Sequence, residues 1–136
     1  MVNQNYDDIF FMRLALEEAE IAFKEGEIPV GAVLVMNGKA IAKSHNQRET
    51  SKDPTGHAEI IALRYGSREN DNWRLTDTTL YVTKEPCIMC AGAMVLARIE
   101  KLVFGTKEKK TGAAGSIVNI VDNKQLNHRI EVKSGL

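Results

Sequence analysis

The chain has 136 residues, of which 43% are hydrophobic, and this composition predicts one core and a single domain spanning residues 1–136. Its 18 basic and 18 acidic side chains cancel, which argues against a nonspecific nucleic-acid binder but leaves a local contact surface open. The absence of an apolar run long enough to cross a bilayer and an acidic rather than basic first segment predict a cytoplasmic protein without a membrane association.

The first predicted element is a helix that ends at Gly26. Either Asp7 or Asp8 can cap its start. Its apolar residues recur at helical spacing, and they are Ile9, Met12, Leu14, Ala15, Leu16, Ala19, Ala22 and Phe23. This spacing predicts an amphipathic helix.

A β-hairpin follows this helix. Residues 30–36 form a near-continuous apolar run, and residues 39–45 follow as a second strand. Between them, Asn37-Gly38 is the preferred residue pair of a two-residue type I′ turn. The sequence therefore predicts two adjacent antiparallel strands.

Helices and strands alternate after the hairpin. The predicted elements are a helix at 57–68, a strand at 78–83, a helix that begins at Cys87, and strands at 101–106 and 129–133. A strand-helix-strand crossover joins parallel strands, whereas the hairpin is antiparallel. We therefore expect an α/β fold with a mixed sheet and helices on its faces.

Two short stretches contain candidate metal ligands. Cys87 and Cys90 lie three residues apart at a helix start, so both sulfurs face one side. Pro86 suits the first helical turn, and the positive end of the helix favours thiolates, which zinc prefers. His57 opens the preceding helix and is the third candidate. Three protein ligands leave one tetrahedral position open, which is typical of a catalytic zinc site.

Glu59 is the carboxylate placed to move protons beside such a metal. Zinc can lower the pKa of water from about 15.7 to near 7, and a nearby carboxylate can pass a proton to a leaving amine. Other interpretations exist for the separate parts. Cys-x-x-Cys also occurs in thioredoxin-like redox sites, and a structural zinc site would need His45 or His128 as a fourth ligand.

The stretches His57-Ala58-Glu59 and Pro86-Cys87-Ile88-Met89-Cys90 together resemble the signature of zinc-dependent nucleobase deaminases. Flanking segments make the resemblance closer to the bacterial tRNA-specific adenosine deaminases. These segments are residues 53–60, 72–75, 79–87 and 110–116. The resemblance runs to about Ile130. Family members usually continue through a further C-terminal helix, whereas this sequence ends at Leu136.

This resemblance implies a cytidine deaminase-like fold, a three-layer α/β/α sandwich around a mixed sheet of about five strands. It also implies hydrolytic deamination of adenosine to inosine at the wobble position of a tRNA anticodon. One Zn²⁺ per chain would be held by His57, Cys87 and Cys90, with Glu59 as the catalytic residue. The tRNA anticodon stem-loop is the implied partner.

The resemblance further implies substrate-binding residues, which are Pro29, Val30, Asn46, Ala58, Lys107 and Glu108. Asn46 matches an asparagine that contacts the target nucleoside, and Pro29 and Val30 match the wall of the base pocket. The loop with Lys107 and Glu108 lines the anticodon groove in the family, which usually has aspartate at position 108. By residue type alone, Val30 is a core residue and Glu108 belongs to a solvated turn.

A local charge excess supports a nucleic-acid surface beside the cysteines. From Arg98 to Lys110 there are five basic and two acidic residues, an excess that can meet phosphates. Trp73, the single tryptophan, can stack on a base, although a packing role beneath its loop is the stronger prediction.

The resemblance also implies a homodimer whose subunits border each other's active sites. The apolar residues available for that interface are Met89, Met94, Val95 and Ile99, which can equally pack on their own sheet. Two other functions fit the motifs. One is deamination of a free base such as guanine or cytosine, and the other is a non-catalytic, zinc-stabilised RNA-binding module.

Overall fold

The computed structural model describes residues 4–136, with side chains from residue 7 onward. Within this range there are three helices and five strands. In chain order they are α1 (Gln4–Lys24), β1 (Gly31–Met36), β2 (Lys39–His45), α2 (Ala58–Glu69), β3 (Thr78–Lys84), α3 (Ile88–Ala97), β4 (Lys101–Thr106) and β5 (Glu131–Ser134).

The strands form one sheet in the order β2-β1-β3-β4-β5. Strand β1 is antiparallel to β2 and β3, whereas β3, β4 and β5 are parallel to one another. The predicted mixed, five-stranded sheet is therefore confirmed.

Helix α1 covers one face of the sheet, and α2 and α3 cover the other. Alternation along β1 explains the two cores, because Val33 and Val35 pack with α1 while Leu34 belongs to the core beneath α2 and α3. The approach of α1 is close. A Cβ atom at Gly31 would lie 1.9 Å from the carbonyl oxygen of Ala15, so only glycine fits there. The three-layer prediction is confirmed.

The predicted start of the first helix is wrong. Helix α1 begins at Gln4, so Asp7 and Asp8 lie inside it. Asp8 is buried and accepts hydrogen bonds from the Tyr81 hydroxyl at 2.6 Å and from Lys133 Nζ at 2.8 Å. Burial raises the pKa of Asp8, but these hydrogen bonds outweigh it and hold the pKa below its usual value. Asp8 thus joins α1 to β3 and β5.

The buried side of α1 is narrower than the predicted stripe. Besides Asp8, it consists of the apolar residues Phe11, Met12, Ala15, Ala19 and Ala22. Ile9, Leu16 and Phe23 are exposed, because they recur every seven residues on the side turned away from the sheet.

The hairpin turn lies where the sequence predicted it, whereas the final strand is shifted. Asn37 and Gly38 have φ values of 52° and 75°, which confirms the turn with two left-handed residues. The last strand is observed at Glu131–Ser134, so it begins two residues later and ends one residue later than predicted. No helix within residues 4–136 is long and apolar enough to span a membrane.

Candidate active site

Helices α2 and α3 begin beside each other, with His57 and Cys87 at their N-cap positions. Ser, Thr, Asp or Asn usually provides a capping hydrogen bond there. Among the described residues, neither side chain caps its helix. Instead, Nδ1 of His57 lies 3.7 Å from Sγ of Cys87 and 3.6 Å from Sγ of Cys90. Pro86 precedes the cap, so its predicted place in the first turn is wrong.

The three side chains form a metal-binding group. Their ligand atoms all lie within 4.8 Å of one another. Tetrahedral zinc with bonds of about 2.05 Å to nitrogen and about 2.3 Å to sulfur requires a nitrogen-to-sulfur distance of about 3.6 Å. The two observed distances agree with this value, so the spacing of His57 from each cysteine suits a zinc-type ion.

The pKa values of the two thiols are shifted in opposite directions. A hydrogen bond from Cys90 lowers the pKa of Cys87 to about 5, with the nearby His57 adding to the effect. The same hydrogen bond, together with burial, raises the pKa of Cys90. A soft cation would therefore displace one proton from Cys90 and find a thiolate already present at Cys87.

Glu59 lies in the first turn of α2 and is 4% exposed. Burial raises the pKa of Glu59 to about 7. A carboxyl group with this pKa can hold and release a proton near neutral pH. Glu59 faces the same cavity as His57 and Cys87, so a proton carrier and a metal-binding group meet in one space.

This cavity has a volume of about 260 Å³. The predicted site residues that line it are Val30, Asn46, His57, Ala58, Glu59 and Cys87. Cys90 is buried behind them. Pro29 is exposed beside the lining, and Lys107 and Glu108 lie outside it.

Sequence reasoning missed five further lining residues, which are Ile28, Arg48, Lys84, Glu85 and Thr111. For four of them, nearness in the sequence to predicted site residues was the signal that could have identified them. Ile28 and Arg48 lie within two residues of predicted wall residues, and Lys84 and Glu85 directly precede the Pro-Cys pair. Thr111 lines the cavity because the loop after β4 returns to the start of α3, where the Ala113 N–H donates to the Pro86 carbonyl at 2.9 Å.

Asn46 is fixed within one wall of the cavity. Its backbone N–H donates to the Val30 carbonyl at 3.0 Å, and its side-chain amide donates to the Ile28 carbonyl at 3.4 Å. Its side-chain oxygen accepts the N–H of Arg48 at 3.1 Å. Asn46 therefore joins the segment before β1 to the loop after β2.

Glu85 organises the loop after β4. Its buried carboxylate accepts the backbone N–H groups of Glu108, Ala114 and Ser116, each at 3.0 Å, and also the Ser116 hydroxyl. Burial raises the pKa of Glu85, but these hydrogen bonds outweigh it and hold the pKa below its usual value. One carboxylate thus anchors a loop that begins more than twenty residues later in the chain.

Glu108 is more constrained than a residue of a solvated turn, and that prediction is wrong. Its carboxylate pairs with Lys84 Nζ at 2.8 Å and accepts the backbone N–H of Lys110 at 3.0 Å. The hydrogen bond from Lys84 lowers the pKa of Glu108. The pair connects this loop to a lysine that lines the cavity.

The predicted packing role of Trp73 is also wrong. The side chain is 58% exposed, and the guanidinium carbon of Arg74 lies 4.9 Å from its ring centroid. The turn after α2 directs the ring outward, into a groove that Leu96 also lines.

Three of the four residues predicted for a dimer interface are buried within their own chain. They are Met94, Val95 and Ile99, and they belong to the core beneath α2 and α3. Their burial excludes them from direct contact with a partner subunit. The exposed apolar residues of α3 are Ile88 and Leu96, at 64% and 70% exposure.

Comparison with known proteins places the chain. Residues 6–136 match the family described as MafB19-like deaminase. The tRNA-specific adenosine deaminase of Bacillus subtilis strain 168 is 46% identical over 129 residues, which are 95% of this chain and 80% of that protein. The protein of that name from Aquifex aeolicus strain VF5 is 48% identical over 122 residues, which are 90% of this chain and 81% of the relative.

Solved structures of deaminases have the same fold. One from work on A-to-I editing by tRNA:A34 deaminases superposes with a TM-score of 0.90 at 42% identity, over 93% of this chain and 98% of that one. Guanine deaminase from Bacillus subtilis superposes with a TM-score of 0.71 at 34% identity, over 78% of this chain and 66% of that one. The chain therefore belongs to the MafB19-like deaminase family and to the tRNA-specific adenosine deaminases.

Proposed function

We propose that residues 1–136 form one hydrolase domain that converts adenosine to inosine at the wobble position of a tRNA anticodon. The observation that carries this proposal is the metal-binding group with Glu59 beside it in one cavity. The 46% identity to the Bacillus subtilis tRNA-specific adenosine deaminase supports the choice of substrate. The cytoplasm is the proposed location, as composition predicts.

One Zn²⁺ per chain is the proposed cofactor, bound by His57, Cys87 and Cys90. The nitrogen-to-sulfur distances and the thiolate character of Cys87 support zinc among the cations that proteins bind. When bound, zinc supplies Lewis-acid activation of water.

Glu59 carries the protons of the proposed reaction. Its carboxylate takes a proton from water and delivers it to the ring nitrogen next to the amine-bearing carbon. After the water oxygen bonds to that carbon, Glu59 takes the remaining proton from this oxygen and passes it to the amine, which leaves as ammonia. One C–N bond breaks and one C–O bond forms, so the reaction needs no oxidant or reductant.

The cavity walls position the target base. A volume of about 260 Å³ suits a single base, so the adenosine must be turned out of the anticodon stack to enter. Asn46, Val30 and Ala58 line the walls that would contact it. Pro29, Lys107 and Glu108 contribute outside the cavity, where the lysine is placed for phosphate contact.

A homodimer is the proposed assembly, with an interface that differs from the predicted one. The groove lined by Trp73 and Leu96 beside α2 and α3 is one of the apolar surfaces that the described residues leave exposed. Ile88 extends the exposed apolar surface along α3. An interface there would place the partner subunit beside the helix that begins at the metal-binding group.

The proposed function is tested by choosing among substrates. Zinc-loaded protein is incubated with an anticodon stem-loop RNA that contains adenosine at the wobble position and, separately, with free guanine and cytosine. Inosine in the RNA, measured after digestion to nucleosides, is the expected result, and the Glu59→Gln variant is the control. Ammonia released only from a free base would indicate that the chain is a deaminase of free guanine or cytosine instead. Bound zinc with neither product would indicate a non-catalytic module.

A further inference from the structure

One wall of the active-site cavity depends on how the end of β2 is held. Ile28 and Val30 come from the connection between α1 and β1, whereas Asn46 and Arg48 come from the loop after β2. The hydrogen bonds of Asn46 to Val30 and Ile28 join these segments. A shift of the residue before Asn46 would therefore move the whole wall.

That residue is His45, the last of β2, and both of its ring nitrogens face carboxylates. Nδ1 lies 2.9 Å from Oε1 of Glu18 in α1, and Nε2 lies 2.9 Å from Oε1 of Glu25 just after α1. A neutral imidazole has one N–H and one lone pair, so it can donate to only one carboxylate. The imidazolium donates to both, and the observed geometry corresponds to this protonated form.

We propose that His45 is a positioning residue for the cavity wall that contains Asn46. Its second ring proton holds this wall in place and thereby sets substrate affinity. This inference rests on the proposed deaminase function. In the deprotonated state, one ring lone pair faces a carboxylate, and the two repel each other. Glu25 is the partner that moves, because its side chain is 44% exposed whereas that of Glu18 is 17% exposed.

The surroundings of His45 fix the direction of the pH effect. Burial lowers the pKa of His45, but the hydrogen bonds and charges of Glu18 and Glu25 outweigh it and raise the pKa above its usual value. The strand partner of His45 in β1 is Gly31, which has no charge. The wall is therefore held in place below the usual histidine pKa of 6.5 and loosens as the pH rises through the raised pKa of His45.

A second connection keeps the wall folded when His45 loses its proton. The Glu27 carboxylate accepts the backbone N–H groups of Glu49 and Thr50, at 3.0 and 2.6 Å, and the Thr50 hydroxyl at 2.6 Å. Hydrogen bonds from Thr50 lower the pKa of Glu27, so this connection persists across the range in which His45 titrates. Deprotonation of His45 should consequently shift the wall without unfolding it, and affect KM more than kcat.

The test measures kcat and KM for the anticodon stem-loop RNA from about pH 6 to about pH 9. Wild type is compared with Glu25→Gln, because glutamine can accept from the protonated ring and donate to the neutral one. The control is Glu69→Gln at the exposed end of α2. We expect KM of the wild type and the control to rise about five- to tenfold on the alkaline side, whereas KM of Glu25→Gln stays nearly constant.

A third variant and a second readout separate this proposal from the proposed function. His45→Gln should raise KM at every pH, with kcat retained. Identical pH profiles of KM in wild type and Glu25→Gln would overturn the inference. If the wild type forms no inosine, the proposed function fails, and the wall is then tested by NMR. The Asn46 amide signals must titrate together with the His45 ring in wild type and not in Glu25→Gln, and their constancy in wild type would refute the proposal.

Discussion

Removal of the Glu85 carboxylate should release the loop after β4. The carboxylate accepts three backbone N–H groups from Glu108, Ala114 and Ser116, and all three residues are only half-buried. Water can replace part of each lost hydrogen bond, so we assign about 1 kcal/mol to each of the three backbone donors rather than the 1.5–3 kcal/mol typical of charged partners. Glu85→Ala should therefore make local opening of the loop about 3 kcal/mol easier.

Limited proteolysis reports this change directly. Lys107, Lys109 and Lys110 are exposed in the same loop and are sites for trypsin. A decrease of about 3 kcal/mol in the opening free energy predicts cleavage about a hundredfold faster than in wild type. Because Thr111 lines the cavity, KM for RNA should also increase.

Two companion variants make the result specific. Glu85→Gln keeps one acceptor oxygen but turns an NH₂ group toward the remaining donors, so it should lie between wild type and Glu85→Ala. Glu69→Gln, at an exposed position, should be cleaved like wild type. Cleavage of Glu85→Ala at the wild-type rate would show that the loop is held by other contacts and would refute this reasoning.

Three further predictions concern packing, acid stability and assembly. Gly31→Ala should destabilise the fold by about 1–3 kcal/mol or more, since its Cβ would meet the Ala15 carbonyl, whereas Gly92→Ala in α3 meets nothing within 4 Å and should be neutral or stabilising in urea unfolding. The contribution of the Asp8 carboxylate to the free energy of unfolding is fully present above its unfolded pKa of 3.8 and is lost as the pH falls through its lower folded pKa. Asp8→Asn should therefore remove this part of the acid unfolding transition, as followed by circular dichroism. Leu96→Glu should convert the dimer to a zinc-loaded monomer, as measured by the solution mass in light scattering. A wild-type protein that is monomeric and still deaminates RNA would contradict the proposed dimer.

The parts of the fold that sequence predicted depend on contacts between near neighbours. The Asn37-Gly38 turn needs two residues with positive φ, and this requirement is written in adjacent letters. The metal-binding group was predictable for a different reason. Its ligands occur in two short motifs, His57-Ala58-Glu59 and Cys87-x-x-Cys90. Together, the residue types and spacing of these motifs have few explanations other than zinc binding.

The features that sequence missed join residues far apart in the chain. Asp8 and Lys133 pair across 125 positions, and no local pattern indicates that a helix acidic residue should turn inward to meet the last strand. Periodicity also cannot decide whether an apolar helix residue packs inside its own chain or against another. Met94 proved to be core and Leu96 proved to be exposed, although both lie in the same apolar helix.

The central claim is that His57, Cys87 and Cys90 hold zinc while Glu59 moves protons without binding it. Zinc content and inosine yield, determined on the same preparations of wild type and Glu59→Gln, test this claim most directly. We expect about one zinc per chain in both proteins and an inosine yield at least about a hundredfold lower in the variant. Loss of zinc together with activity would show instead that Glu59 is a ligand, and retained activity would remove it from the mechanism.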